Sequence, residues 1–140
     1  MEFETHGVNH ITLFVRDLEV SLKFYTDILR MKVVRYDPGD YAYLESGMTW
    51  FAIAQKPIDG HVPQRLGVSH MALTVREEDF ETALEHLRRN DVKIVREPII
   101  RGMGKTVNFL DPDGVEWEFH TSNLAERMTV IEEMERNKRV

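Results

Sequence analysis

The chain has 140 residues, 42% hydrophobic and 30% charged, the composition of one ordinary globular domain able to bury a core without staples. Eighteen Lys and Arg against 24 Asp and Glu give a net charge of −6, which argues against nucleic acid or an anionic membrane as partner. Without cysteine there is no disulfide framework, thiolate nucleophile or Cys-based metal site. The first residues lack the basic and apolar regions of an export signal and no apolar run approaches a membrane span, so a cytoplasmic location is expected.

In chain order, Gly7-Val8-Asn9-His10-Ile11-Thr12-Leu13-Phe14-Val15-Arg16 alternates like a strand. The spacing of Leu18, Leu22, Tyr25 and Leu29 then predicts a helix, with Asp17 or Leu18 at its start. Short strands are expected near Lys32–Arg35, Tyr41–Ser46 and Thr49–Gln55, separated by Asp37-Pro38-Gly39-Asp40 and Ser46-Gly47. Lys56 to Leu66, with Pro57, Gly60 and Pro63, reads as a linker. After it the opening repeats: Gly67-Val68-Ser69-His70-Met71-Ala72-Leu73-Thr74-Val75-Arg76 matches the first stretch position for position, with Gly, Val, His, Leu, Val and Arg identical. Phe80, Leu84 and Leu87 mark a second helix, begun by Glu78 or Asp79, and strands follow near Val92–Glu97, Lys105–Leu110 and Val115–His120. The last two are joined by Asp111-Pro112-Asp113-Gly114, dense turn chemistry that predicts a β-hairpin.

The unit is βαβββ, twice: an α+β chain of one domain over 1–140, with modules of about 6–56 and 66–121. A C-terminal helix of about 123–137 is capped by Ser122 or Asn123 and carries an apolar stripe at Leu124, Met128 and Ile131, suited to docking on its own domain or on a partner subunit. The repeat places the two modules side by side as a curved mixed sheet around one cleft.

His10 and His70 hold equivalent places in the two first strands, and Glu118 lies in the last strand of the second module. Two imidazoles and one carboxylate leave open positions on Mn, Fe, Ni or Zn for substrate oxygens. A single strand histidine is usually a hydrogen-bonded core or surface residue; recurrence at one site of a repeat is what lifts these two above that. His120 shares a strand face with Glu118 and is a candidate for supporting the metal ligands or acting as general base. His6, His61 and His86 have no paired context and read as surface residues. Gly102-Met103-Gly104-Lys105-Thr106 lacks the spacing of a phosphate loop and reads as a mobile loop, a candidate lid.

The paired units, the G-V-x-H-x-x-L-x-V openings and the F-L-D-P-D-G-x-x-x-E ending resemble the vicinal oxygen chelate superfamily over nearly the whole chain. That group includes glyoxalase I, extradiol dioxygenases, fosfomycin-resistance enzymes and bleomycin-binding proteins. The resemblance implies metal ligands at His10, His70 and Glu118. It is nearest to the fosfomycin-resistance branch, which implies a substrate-facing Thr12, a substrate wall at Tyr43 and Trp50, and an anion-binding Arg127. It also implies a homodimer whose sites are shared between subunits.

The departures are specific. The branch's Ser-Glu-Gly-x-Ser potassium loop and substrate lysine are replaced by Gly102-Met103-Gly104-Lys105-Thr106, and Asn108 stands where a substrate tyrosine is expected. Typical glyoxalase I needs a fourth ligand that Trp50-Phe51-Ala52-Ile53-Ala54 does not offer. The expectation is therefore a divalent-metal enzyme acting on a small oxygen-bearing molecule, most like a fosfomycin-resistance thiol transferase or hydrolase. The alternatives are an Fe(II) extradiol dioxygenase or other glyoxalase-like lyase or isomerase, and a metal-free sequestration protein.

Overall fold

The computed structural model describes residues 6–56, 68–101 and 104–138, with all side chains among them except those of Ile100 and Arg101. The expected linker beyond Lys56, His61 within it, and the Gly102-Met103 pair lie outside the described residues. The chain divides into two compact units, Met1–Leu66 and Gly67–Val140, each a single βαβββ module, the second carrying the final helix.

In the first unit β1 (His10–Phe14) is followed by α1 (Leu18–Lys23), β2 (Lys32–Asp37), β3 (Tyr41–Ser46) and β4 (Thr49–Ala54). The sheet order is β1-β4-β3-β2, with β1 parallel to β4 and the other pairs antiparallel. Asp17 is the N-cap of α1, its carboxylate accepting from the backbone N–H groups of Glu19 at 3.0 Å and Val20 at 3.2 Å. The helix passes into a π-helical turn at Phe24–Ile28, which the 3.6-residue period does not foretell. Leu18, Ser21, Phe24 and Tyr25 are its buried face, and α1 touches β3 and β4, where Ala42, Leu44, Phe51 and Ile53 are buried. The Tyr36 hydroxyl donates to Glu19, and that bond is the first cause raising the phenol pKa above its ordinary value.

The second unit repeats the plan with β5 (Met71–Thr74), α2 (Phe80–Arg89), β6 (Ile94–Arg101), β7 (Gly104–Leu110) and β8 (Glu116–His120), in the order β5-β8-β7-β6. Phe80, Leu84 and Leu87 are buried on α2 as their spacing predicts. The hairpin between β7 and β8 is built as its turn residues require. Gly114 N–H donates to the Asp111 carbonyl at 3.0 Å, Gly114 takes φ +86°, and Asp111 Oδ1 accepts from Asp113 and Val115 N–H at 2.9 and 2.8 Å. Strand β6 runs four residues past its expected end, because β7 pairs with it as far as Arg101↔Gly104. Pro98 is tolerated since β6 is the sheet edge and the register shifts between Arg96 and Ile99.

Gly104 corrects an expectation. It opens β7 rather than ending a mobile loop, and a Cβ there would stand 2.7 Å from Ser122 Cβ and 3.0 Å from Ser122 N. Its lack of a side chain lets the chain leaving β8 pass close by, held by Lys105 N–H donating to Thr121 Oγ1 at 2.8 Å.

Helix α3 (Leu124–Lys138) starts at Asn123, whose Oδ1 accepts the Glu126 N–H at 2.9 Å. None of its described residues is buried: Leu124 is 75% exposed and Met128 43%, so the apolar stripe stays open. Among the described residues no helix is long and apolar enough to cross a membrane.

Candidate metal centre

Strand alternation splits the second sheet into two faces. Val107, Phe109, Trp117 and Phe119 form the buried apolar one, with Phe109 and Phe119 rings 4.8 Å apart. The register puts Glu118 opposite both Ala72 and Asn108, and His120 opposite both Thr74 and Thr106, so the other face is polar. His70 stands immediately before β5. Its Nε2 lies 3.9 Å from Glu118 Oε2. That is too long for a hydrogen bond, but two donors each ~2.1 Å from one ion stand at most about 4.2 Å apart.

Glu118 is 7% exposed, and among the described residues no side chain hydrogen-bonds its carboxylate. A buried carboxylate in that state is costly unless a cation faces it. This pairing of a buried acid with a half-exposed imidazole fits a divalent cation. Within either unit no three His, Asp or Glu side chains among the described residues converge to hold a metal. Two of the three expected ligands, His70 and Glu118, lie in the second unit; the third, His10, belongs to the first.

An open cleft of about 400 Å³ lies over this pair, lined also by Thr74, His120, Ser122 and Arg127. His120 Nδ1 accepts the Ser122 backbone N–H at 3.0 Å, so the neutral ring carries its proton on Nε2. In that tautomer the ring offers a donor at Nε2, one of the groups lining the cleft. Arg127 is exposed, and among the described residues it forms no ion pair, which leaves its guanidinium available to an anion. Asn108 donates to Glu116 Oε2 at 3.0 Å, while its Oδ1 is buried with no hydrogen-bond partner among the described residues.

In the first unit His10 and Thr12 share one face of β1, with Trp50 opposite His10 and Ala52 opposite both Thr12 and Tyr43. The His10 ring stacks on Trp50 at 4.2 Å and 18°, and Tyr43 meets Trp50 edge-on at 5.1 Å. Tyr43 and Trp50 line a cavity of about 340 Å³ with Val34, Leu44 and Met48. Sequence reasoning passed over two neighbours of the histidines. Asn9 Oδ1 lies 2.8 Å from His10 Nδ1, and Ser69 Oγ lies 3.2 Å from His70 Nδ1. The signal was present in the repeat, since both positions carry a side-chain oxygen.

Two βαβββ units, each opening on a histidine at a sheet edge and the second pairing it with a buried glutamate, define a duplicated-module class of ligand-binding sheets. The chain belongs to the Glyoxalase/Bleomycin resistance protein/Dioxygenase superfamily, whose model matches residues 7–119. It is 34% identical over 129 residues to the metallothiol transferase FosB of Staphylococcus saprophyticus subsp. saprophyticus, covering 91% of this chain and 84% of that protein. It is 35% identical over 129 residues to the glutathione transferase FosA of Serratia marcescens, covering 91% and 89%. The crystal structure of the fosfomycin resistance protein FosX from Listeria monocytogenes superimposes with a TM-score of 0.74 at 25% identity, covering 89% of this chain and 99% of that one. These relatives bear out the resemblance to the fosfomycin-resistance branch.

Proposed function

We propose that this chain is a divalent-metal-dependent enzyme that opens the epoxide of fosfomycin or of a similar small phosphonate. The observation that carries the reading is the buried Glu118 carboxylate facing His70 Nε2, beneath a cleft that also holds His120 and Arg127. Its relatives' names, a glutathione transferase, a metallothiol transferase and a fosfomycin resistance protein, support the reaction type. His70, Glu118 and His10 would hold the ion. When bound, Mn(II), Zn(II), Fe(II) or Ni(II) supplies a Lewis acid for a substrate oxygen.

The chain's own groups do the rest. Arg127 and the Nε2–H of His120 bind the phosphonate oxygens by charge-assisted hydrogen bonds, while Asn108, which is buried and does not line the cleft, holds Glu116. Thr12 faces the substrate beside His10, and Tyr43 and Trp50 exclude water from its apolar side. A thiol or water then adds to one epoxide carbon and that C–O bond breaks. The ring oxygen takes up a proton and the nucleophile gives one up.

Metal analysis of protein purified without added metal is expected to find bound Mn or Zn. ³¹P NMR of fosfomycin with the loaded protein and glutathione, cysteine or water alone then reads the chemistry. A thioether adduct means transfer and a diol means hydrolysis. Bound iron with unchanged fosfomycin favours dioxygenation instead. Protein that binds no metal and leaves fosfomycin intact sinks the enzyme reading in favour of sequestration.

The proposal includes a homodimer in which each metal draws on modules of both chains. Supporting it are the large apolar side chains left open in both units, among them Met48 at 101% exposure, Val34 at 57% and Leu124 at 75%. Sedimentation at micromolar concentration is expected to give twice the chain mass. A monomer that retains metal removes the shared site.

A further inference from the structure

His10 and His70 are each preceded by an oxygen-bearing side chain that reaches the same ring atom. Successive side chains of a regular strand point to opposite faces and do not meet. Asn9 and Ser69 lie just outside the ladder, where the chain is free to fold each side chain back on the following ring. The distances to Nδ1 are 2.8 Å from Asn9 Oδ1 and 3.2 Å from Ser69 Oγ.

An amide oxygen can only accept, so the Asn9 contact requires that neutral His10 carry its proton on Nδ1. That leaves Nε2 as the ring's one lone-pair donor. Stacking on Trp50 fixes the ring plane but cannot choose between its two nitrogens; the bond to Asn9 makes that choice. At His70 the atom facing Glu118 is Nε2, and a ligand role for it places the proton on Nδ1, where the Ser69 hydroxyl can accept it. The two modules thus reach one arrangement with different residues.

We infer that Asn9 and Ser69 are positioning residues that hold His10 and His70 as Nδ1–H tautomers and so keep Nε2 free to bind the metal. The inference rests on the metal reading above, but its first test does not need metal. Long-range ¹H–¹⁵N spectra of metal-free, histidine-labelled protein at pH 8 report the tautomer of each ring. The expected result is Nδ1–H at both His10 and His70. Asn9→Leu should move His10 toward Nε2–H, whereas Asn9→Ser should keep Nδ1–H, because the second module already uses serine.

By calorimetry with Mn(II), Asn9→Leu and Ser69→Ala should each weaken binding about 10–100-fold, the usual effect of losing a partner behind a ligand, while Asn9→Ser stays near wild type. Wild-type rings found as Nε2–H, or Asn9→Leu and Ser69→Ala proteins that bind Mn(II) as tightly as wild type, overturn the inference. A wild-type protein that shows the Nδ1–H tautomers yet binds no Mn(II) overturns the metal reading instead.

Discussion

Glu118→Gln is expected to abolish tight Mn(II) binding while raising the melting temperature of the metal-free protein. The two effects have one cause. The carboxylate is buried at 7% exposure, and the group facing it is the His70 imidazole, whose Nε2 is 3.9 Å away, so the apo protein keeps a poorly solvated anion for a cation to neutralise. Glutamine fills the same volume without the charge. The gain should be about 1 kcal/mol, or roughly 3 °C for a chain of this size at pH 8. Metal affinity should fall more than ~100-fold, since losing a ligand must exceed the effect of losing its supporting partner. His10→Ala and His70→Ala should match it in affinity, with His6→Ala, His61→Ala and His86→Ala unchanged as controls. A Glu118→Gln protein that melts lower and still binds Mn(II) would remove Glu118 from the site.

Phe109→Ala is expected to cost about 3–5 kcal/mol, a large share of the ~5–15 kcal/mol that holds such a domain together. Phe109 is fully buried, tilted against Phe119, and paired across the ladder with the equally buried Trp117. Its strand neighbour Asn108 lies on the opposite, polar face, so strand register and site stand or fall together. Urea denaturation should show the lowered midpoint, and hydrogen exchange should accelerate first in β7 and β8. A loss below about 1 kcal/mol would mean that the aromatic layer is not the core of the second unit.

What was legible in the sequence follows the strength of local chemistry. The repeated histidine openings, the Asp17 cap and the Asp111–Gly114 turn were readable because each rests on short-range rules that tertiary contacts leave alone. The length of β6 was not, since its last residues are strand only because β7 lies beside them. Nor were the ends of the helices. Each module takes a left-handed residue there that is not glycine, Arg30 at φ 58° and Asp91 at φ 54°, where propensity would have put one. Gly104 was misread for a related reason: its role is to admit Ser122, a neighbour remote in sequence. At the site, the His70–Glu118 pairing was implied by the motif. The tautomer of His120 needed the Ser122 N–H and could only come from coordinates.

The parallel pairing of β1 with β4 and of β5 with β8 also sets an order of events in folding. In each module the histidine-bearing end of the chain is made first and finds its partner last, because the strand it needs closes the module. Such distant closure is slow, and the antiparallel hairpins in between can assemble while the edge is still loose. A nascent chain released before Trp50 has its first histidine on an unpaired strand, and one released before Trp117 leaves unpaired the strand that follows the second. In each module the strand at the histidine's end is therefore the last to be locked in place.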